Sequence, residues 1–84
     1  MKIYSIFDKK SNNYGPVMCF PNDIMAIRAV EMDLMNGQSV MASYPHDFAL
    51  MLVGTFDESV GCITADNMPT NVYECANYLA KAEK

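Results

Sequence analysis

The chain has 84 residues, 51% of them hydrophobic and 19% charged, a balance that argues against disorder and allows one modest core, so residues 1–84 are expected to form a single domain. A net charge of −4 and a pI near 4.6 set the field of the whole molecule against polyanions, which disfavours a non-specific grip on nucleic acid. The three cysteines, Cys19, Cys62 and Cys75, have neither CxxC nor zinc-knuckle spacing, which argues against a disulfide scaffold or a structural metal and for small buried residues in a reducing cytosol.

The N-terminal run Lys2-Ile-Tyr-Ser-Ile-Phe-Asp8 is rich in β-branched and aromatic residues and predicts a strand with apolar groups on both faces, Ile3 and Phe7 on one, Tyr4 and Ile6 on the other. Polar residues 9–13 and Tyr14-Gly15-Pro16 are turn chemistry, and residues 17–20 read as a second strand completing a hairpin. Pro21 stops that strand, and Asn22 or Asp23 can cap the first turn of a helix over residues 24–35, which Asn36-Gly37 ends. Ala26, Ile27, Val30 and Leu34 form its main apolar stripe, Met25 and Met32 a second line beside it, and these methionines read as plastic core filler ahead of an adaptable contact surface.

Residues 40–42 are either a short extended piece or an irregular cover over the sheet edge. Residues 48–56 are the longest apolar run, and with the break at 57–61 and the β-prone residues 62–65 they predict a hairpin. Phe48, Leu50, Leu52, Gly54 and Phe56 share the face chosen as core. Gly54 in mid-strand marks a bulge or a close approach, and Gly61 is placed for the positive φ of a hairpin loop. Asp66-Asn67-Met68-Pro69 reads as a stop, after which Thr70 or Asn71 caps a helix through residue 81, although the same residues would also suit an extended tail. Residues 70–84 are therefore expected to be a flexible or partner-docked C-terminal helix. The fold class is α+β in the order β-β-α-β-β-α, a four-stranded, mainly antiparallel sheet with the main helix on one face.

No catalytic constellation emerges. His46 beside Asp47 imitates a base and its orienting carboxylate, but adjacent residues rarely point into one site, and a surface turn histidine is the better reading. Asp57, Glu58 and Asp66 lack calcium-loop spacing, and the four glycines form no phosphate loop. The expectation is no enzyme activity, no cofactor and no metal. Lys2, Tyr4, Lys9, Lys10, Tyr14 and Arg28 are the candidate nucleic-acid contacts, since sheet aromatics can stack bases, while the sparse cations keep that signal weak. Met25, Met32, Met35, Tyr73 and Tyr78 are the candidate protein interface. Sheet faces that so small a chain leaves uncovered point to a homodimer. The N-terminus has no apolar signal core and no run is long enough to span a bilayer, so a soluble cytoplasmic protein is expected, with no membrane partner.

Lys2-Ile-Tyr-Ser-Ile-Phe-Asp-Lys9, Tyr14-Gly-Pro16, Asn22-Asp23 with Ala26-Ile-Arg28, Pro45-His-Asp-Phe48, and Gly54-Thr-Phe-Asp57 through Gly61 together resemble the small non-structural protein of gokushovirus-type microviruses. The resemblance covers residues 2–65. The chain departs from the family at Ala29-Val30, where an aromatic or large residue is usual, and at Tyr44-Pro-His-Asp47 in place of the commoner His-Pro-Glu-Asp turn. The resemblance implies a phage protein absent from the mature capsid, described either as DNA-binding or as directing viral single-stranded DNA synthesis and genome packaging in the host cytoplasm. It brings no catalytic residues. The acidic composition favours action through viral replication or packaging proteins over direct binding of single-stranded DNA, and a scaffold or adaptor for capsid assembly is a further alternative.

Overall fold

The computed structural model describes residues 1–82. Strand β1 (Lys2–Asp8) lies between two neighbours. On one edge it pairs antiparallel with β2 (Asn13–Tyr14) and then β3 (Met18–Phe20), so the expected second strand exists as two pieces separated by Gly15-Pro16-Val17. On the other edge it pairs with β4 (Phe48–Asp57), which in turn pairs with β5 (Cys62–Glu74). Every pairing is antiparallel, and the α+β class and single main helix agree with expectation.

Helix α1 (Asp23–Asn36) begins where the side chain of Asn22 accepts the Met25 amide at 2.9 Å and ends at Gly37, whose φ of 76° is left-handed. The cap is therefore Asn22, which leaves Asp23 free for another role. Ala26, Val30 and Leu34 are buried against Tyr4, Phe48 and Leu50, with Ile27 half-buried beside them. Residues 40–42 belong to a one-turn helix, α2 (Val40–Ser43), capped by Ser39, and a 3-10 turn (Pro45–Asp47) leads into β4.

Two irregularities meet at Val53. The β1 register passes from Tyr4↔Leu52 to Ile3↔Gly54, and the β5 register from Leu52↔Thr70 to Gly54↔Ala65. Val53 thus pairs with neither neighbour, and residues 66–69 of β5 have no partner on β4 opposite it. A Cβ on Gly54 would run into the Thr64 carbonyl oxygen, which explains the glycine expected to mark a close approach. The hairpin turn is held by Asp57, whose Oδ1 accepts from the Ser59 amide at 3.0 Å and the Ser59 hydroxyl at 2.6 Å, and by Gly61 at φ 71°.

The bulge corrects the reading of the C-terminal segment. Asp66-Asn67-Met68-Pro69 does not stop the strand; β5 resumes at Thr70 and runs to Glu74, so the expected helix from residue 72 starts only at α3 (Ala76–Ala82). The β-branched and aromatic residues Thr70, Val72 and Tyr73 are better strand formers than helix formers, and pairing with β4 decides between the two. Cys75 at the junction is fully buried, as expected, and its amide donates to the Phe48 carbonyl at 3.1 Å. Cys19 and Cys62 are exposed, contrary to expectation, because they lie on a sheet edge and at the hairpin end. Residues 83 and 84 lie outside the described residues.

Candidate interaction surface

Two hydrogen-bonded clusters fasten α1 to the sheet. At its first residue, the Asp23 carboxylate accepts from the Tyr4 hydroxyl at 2.5 Å and from Lys2 Nζ at 3.4 Å. About two turns later, the Glu31 carboxylate accepts from the Tyr73 hydroxyl at 2.8 Å and from Lys81 Nζ at 3.1 Å. The tyrosine hydrogen bonds, with the lysines adding to them, hold both carboxyls below their ordinary range. Burial first, and then the carboxylates, push the Tyr4 and Tyr73 hydroxyls up. On the far side of the sheet, Lys9 Nζ meets Glu74 at 2.6 Å, which lowers that carboxyl too.

These contacts disperse the candidate nucleic-acid residues. Tyr4 has no exposed surface and cannot stack on a base, because its ring fills the core under α1 and its hydroxyl is committed to Asp23. Lys2 and Lys9 are held in ion pairs. Tyr14 is exposed on the face away from α1, its ring 4.7 Å from Phe7, with Lys10 in the adjoining turn. Arg28 stands elsewhere, on α1. Among the described residues neither Lys10 nor Arg28 makes an ion pair, and the six candidates share no surface.

The candidate protein contacts divide differently. Tyr73 and Tyr78 are half-buried and pack on the core. Met25, Met32 and Met35 are 41%, 64% and 70% exposed, and Ile24, outside the expected interface, is 73% exposed. The methionines are therefore surface and not core filler, because the narrow stripe of Ala26, Val30 and Leu34 already satisfies the sheet. Around a helix that turns about 100° per residue, the side opposite that stripe carries Ile24, Met25, Met32 and Met35 around Arg28. A surface helix ordinarily keeps its outer side polar. The signal is in the sequence, where Ile24, Met25, Met32 and Met35 fall outside the main stripe at helical spacing.

Beside this outer face, between α1 and α3, runs a groove of about 280 Å³ lined by Ile24, Ile27, Arg28, Glu31 and Lys81. A second cavity of similar volume, lined by Ile6, Met18, Phe20, Val30, Asp33 and Met41 among others, opens between β3, α1 and α2. Among the described residues no group of acidic, histidine or cysteine side chains has the arrangement of a metal site. His46 is exposed on the 3-10 turn. No helix among the described residues is long and apolar enough to cross a membrane.

Comparison with known proteins agrees with the microvirus resemblance. The family model described as "Phage ORF5 protein" matches residues 1–78. The "Protein ORF5" of Chlamydia phage 1 is 35% identical over 66 residues, covering 73% of this chain and 68% of that protein. No solved structure matches the chain. A family match over nearly the whole described fold, with a relative of this identity, establishes that the chain belongs to the phage ORF5 protein family.

Proposed function

We propose that this phage protein is a non-enzymatic regulator of viral single-stranded DNA synthesis and genome packaging, which works in the host cytoplasm by binding replication or packaging proteins. The observation that supports this reading is the commitment of three of its six Lys and Arg side chains. Lys2, Lys9 and Lys81 are each bound to a carboxylate of the same chain. A phosphate backbone would have to displace those carboxylates against a net charge of −4. The exposed surface is instead rich in large apolar side chains, Ile24, Met32, Met35, Ile63 and Met68 among them, which suit contacts with protein.

Capture of the tagged protein from infected cells, followed by mass spectrometry, tests this. Enrichment of viral replication or packaging proteins is expected, and enrichment of capsid protein alone would replace the reading with an assembly scaffold. The Phe7–Tyr14 pair beside Lys9 and Lys10 favours a second reading, a weak single-stranded DNA platform. Fluorescence polarisation with labelled single-stranded DNA decides that point. No saturable binding at low salt is expected; binding that weakens steeply with salt and is lost in Tyr14→Ala would establish the second reading.

A further inference from the structure

We infer that the outer face of α1 is covered by α1 of a second copy of this chain, packed antiparallel about a two-fold axis midway between Ala29 and Val30. Ile24, Arg28, Glu31 and Met35 follow one another at spacings of four, three and four residues along α1, the rhythm of a helix-pairing seam. Reversing the helix about that axis sets Ile24 opposite Met35 of the second copy and Arg28 opposite Glu31 of the second copy. Apolar residues meet apolar ones at both ends, and opposite charges meet twice at the centre, which is the self-complementarity an isologous interface requires. A parallel pair would place Arg28 on Arg28 and Glu31 on Glu31, so the same charges select against the alternative.

Shape supports the pairing independently. The groove lined by Ile24, Ile27, Arg28, Glu31 and Lys81 lies where Met35 of the second copy would enter, a long, flexible side chain that is mostly exposed. Each copy would offer one groove and one Met35, so both insertions occur at once. Arg28 finds no carboxylate within its own chain among the described residues. Glu31 is already held in position by Tyr73 and Lys81, and a carboxylate has acceptor sites for further donors. About four turns of helix make a small interface, so the dimer dissociates on dilution.

Sedimentation equilibrium on the purified chain, from low micromolar concentration to its solubility limit, tests the pairing. The mass is expected to rise from monomer to dimer and to stop there. Arg28→Glu and Met35→Glu should each weaken association at least tenfold while circular dichroism and the melting temperature stay as in the parent. The geometry is tested in a background lacking the exposed thiols, Cys19→Ser with Cys62→Ser. Under mild oxidation an Ile24→Cys protein mixed with a Met35→Cys protein should crosslink, and neither should crosslink alone. A monomer at every concentration overturns the inference, as does a dimer that Arg28→Glu leaves intact or an Ile24→Cys protein that crosslinks to itself. These measurements use the isolated chain, so a monomer leaves the functional reading standing, and failure to capture viral proteins leaves the dimer standing.

Discussion

The Tyr73 hydroxyl donates to the Glu31 carboxylate across 2.8 Å, joining β5 to the middle of α1 over 42 residues of sequence. With the Tyr4 to Asp23 contact at the helix start, it fixes both the position and the rotation of α1, and so decides which side of that helix looks outward. Tyr73→Phe keeps the packing and removes the donor. A loss of about 1 kcal/mol is expected for a partly exposed, charge-assisted hydrogen bond, read as a lower urea midpoint with an unchanged slope.

Acid should destabilise the protein through these same carboxyls. Asp23, Glu31 and Glu74 are held below their ordinary values in the folded chain, so as pH falls the unfolded chain takes up their protons first. The stability they contribute is complete above the ordinary carboxyl values near about 4 and is lost as pH falls through the lower folded values. Urea midpoints measured from pH 7 down to 3 should therefore hold level and then drop, and Asp23→Asn should flatten part of the drop. At the alkaline end the tyrosines act in the opposite sense. Tyr4 and Tyr73 are raised when folded, so stability is present below about pH 10 and declines above it. Their ultraviolet ionisation signal should appear together with unfolding.

Gly54→Ala should be costly. The added methyl would meet the Thr64 carbonyl oxygen and the Ala65 Cα, both backbone and unable to swing aside. A loss of about 2 kcal/mol, typical of overpacking, is expected in thermal or urea unfolding. A melting temperature equal to that of the parent would show that the β4–β5 approach relaxes freely.

The cysteines should react in two classes. Cys19 and Cys62 are exposed, whereas Cys75 is fully enclosed at the β5–α3 junction and burial raises its thiol to about 11. A thiol reagent at neutral pH should modify Cys19 and Cys62 quickly and Cys75 only on unfolding, because the thiolate is the reactive form. Peptide mapping of the labelled chain distinguishes the sites.

Much of this architecture can be read from local chemistry. Asn22, Asn36 and Gly37 bound α1 because capping is a matter of adjacent residues, and Gly54 and Gly61 announce their backbone geometry in the same way. What escapes is whatever depends on a neighbour distant in sequence. Asp66-Asn67-Met68-Pro69 has the composition of a terminator, and only the ladder on β4 shows that the strand resumes beyond it. The sequence marks Ala26, Ile27, Val30 and Leu34 as the main apolar stripe of α1, and that stripe meets the sheet; that the methionine line beside it stays outside follows only from the seating of the helix by Tyr4 and Tyr73 on Asp23 and Glu31. Tyr4 itself looks like any strand aromatic until its hydroxyl is seen bonded beneath the helix. The candidate surface was legible only in part, since Met25, Met32 and Met35 could be singled out while Ile24 and the role of Arg28 required the helix to be placed.

Val53 carries a kinetic consequence. Because both neighbouring strands skip it at the same level, the hydrogen-bonded ladder has a seam across β4, with residues 48–52 on the core side and residues 54–57 with 62–65 on the other. The inner part lies over the buried cluster, while residues 62–70 of β5 are exposed throughout. A seam of this kind separates a sheet into units that open with different free energies. Amides of the outer hairpin should exchange with deuterium well before those of Ala49 and Leu50, making the far end of the sheet the first part of the molecule to open.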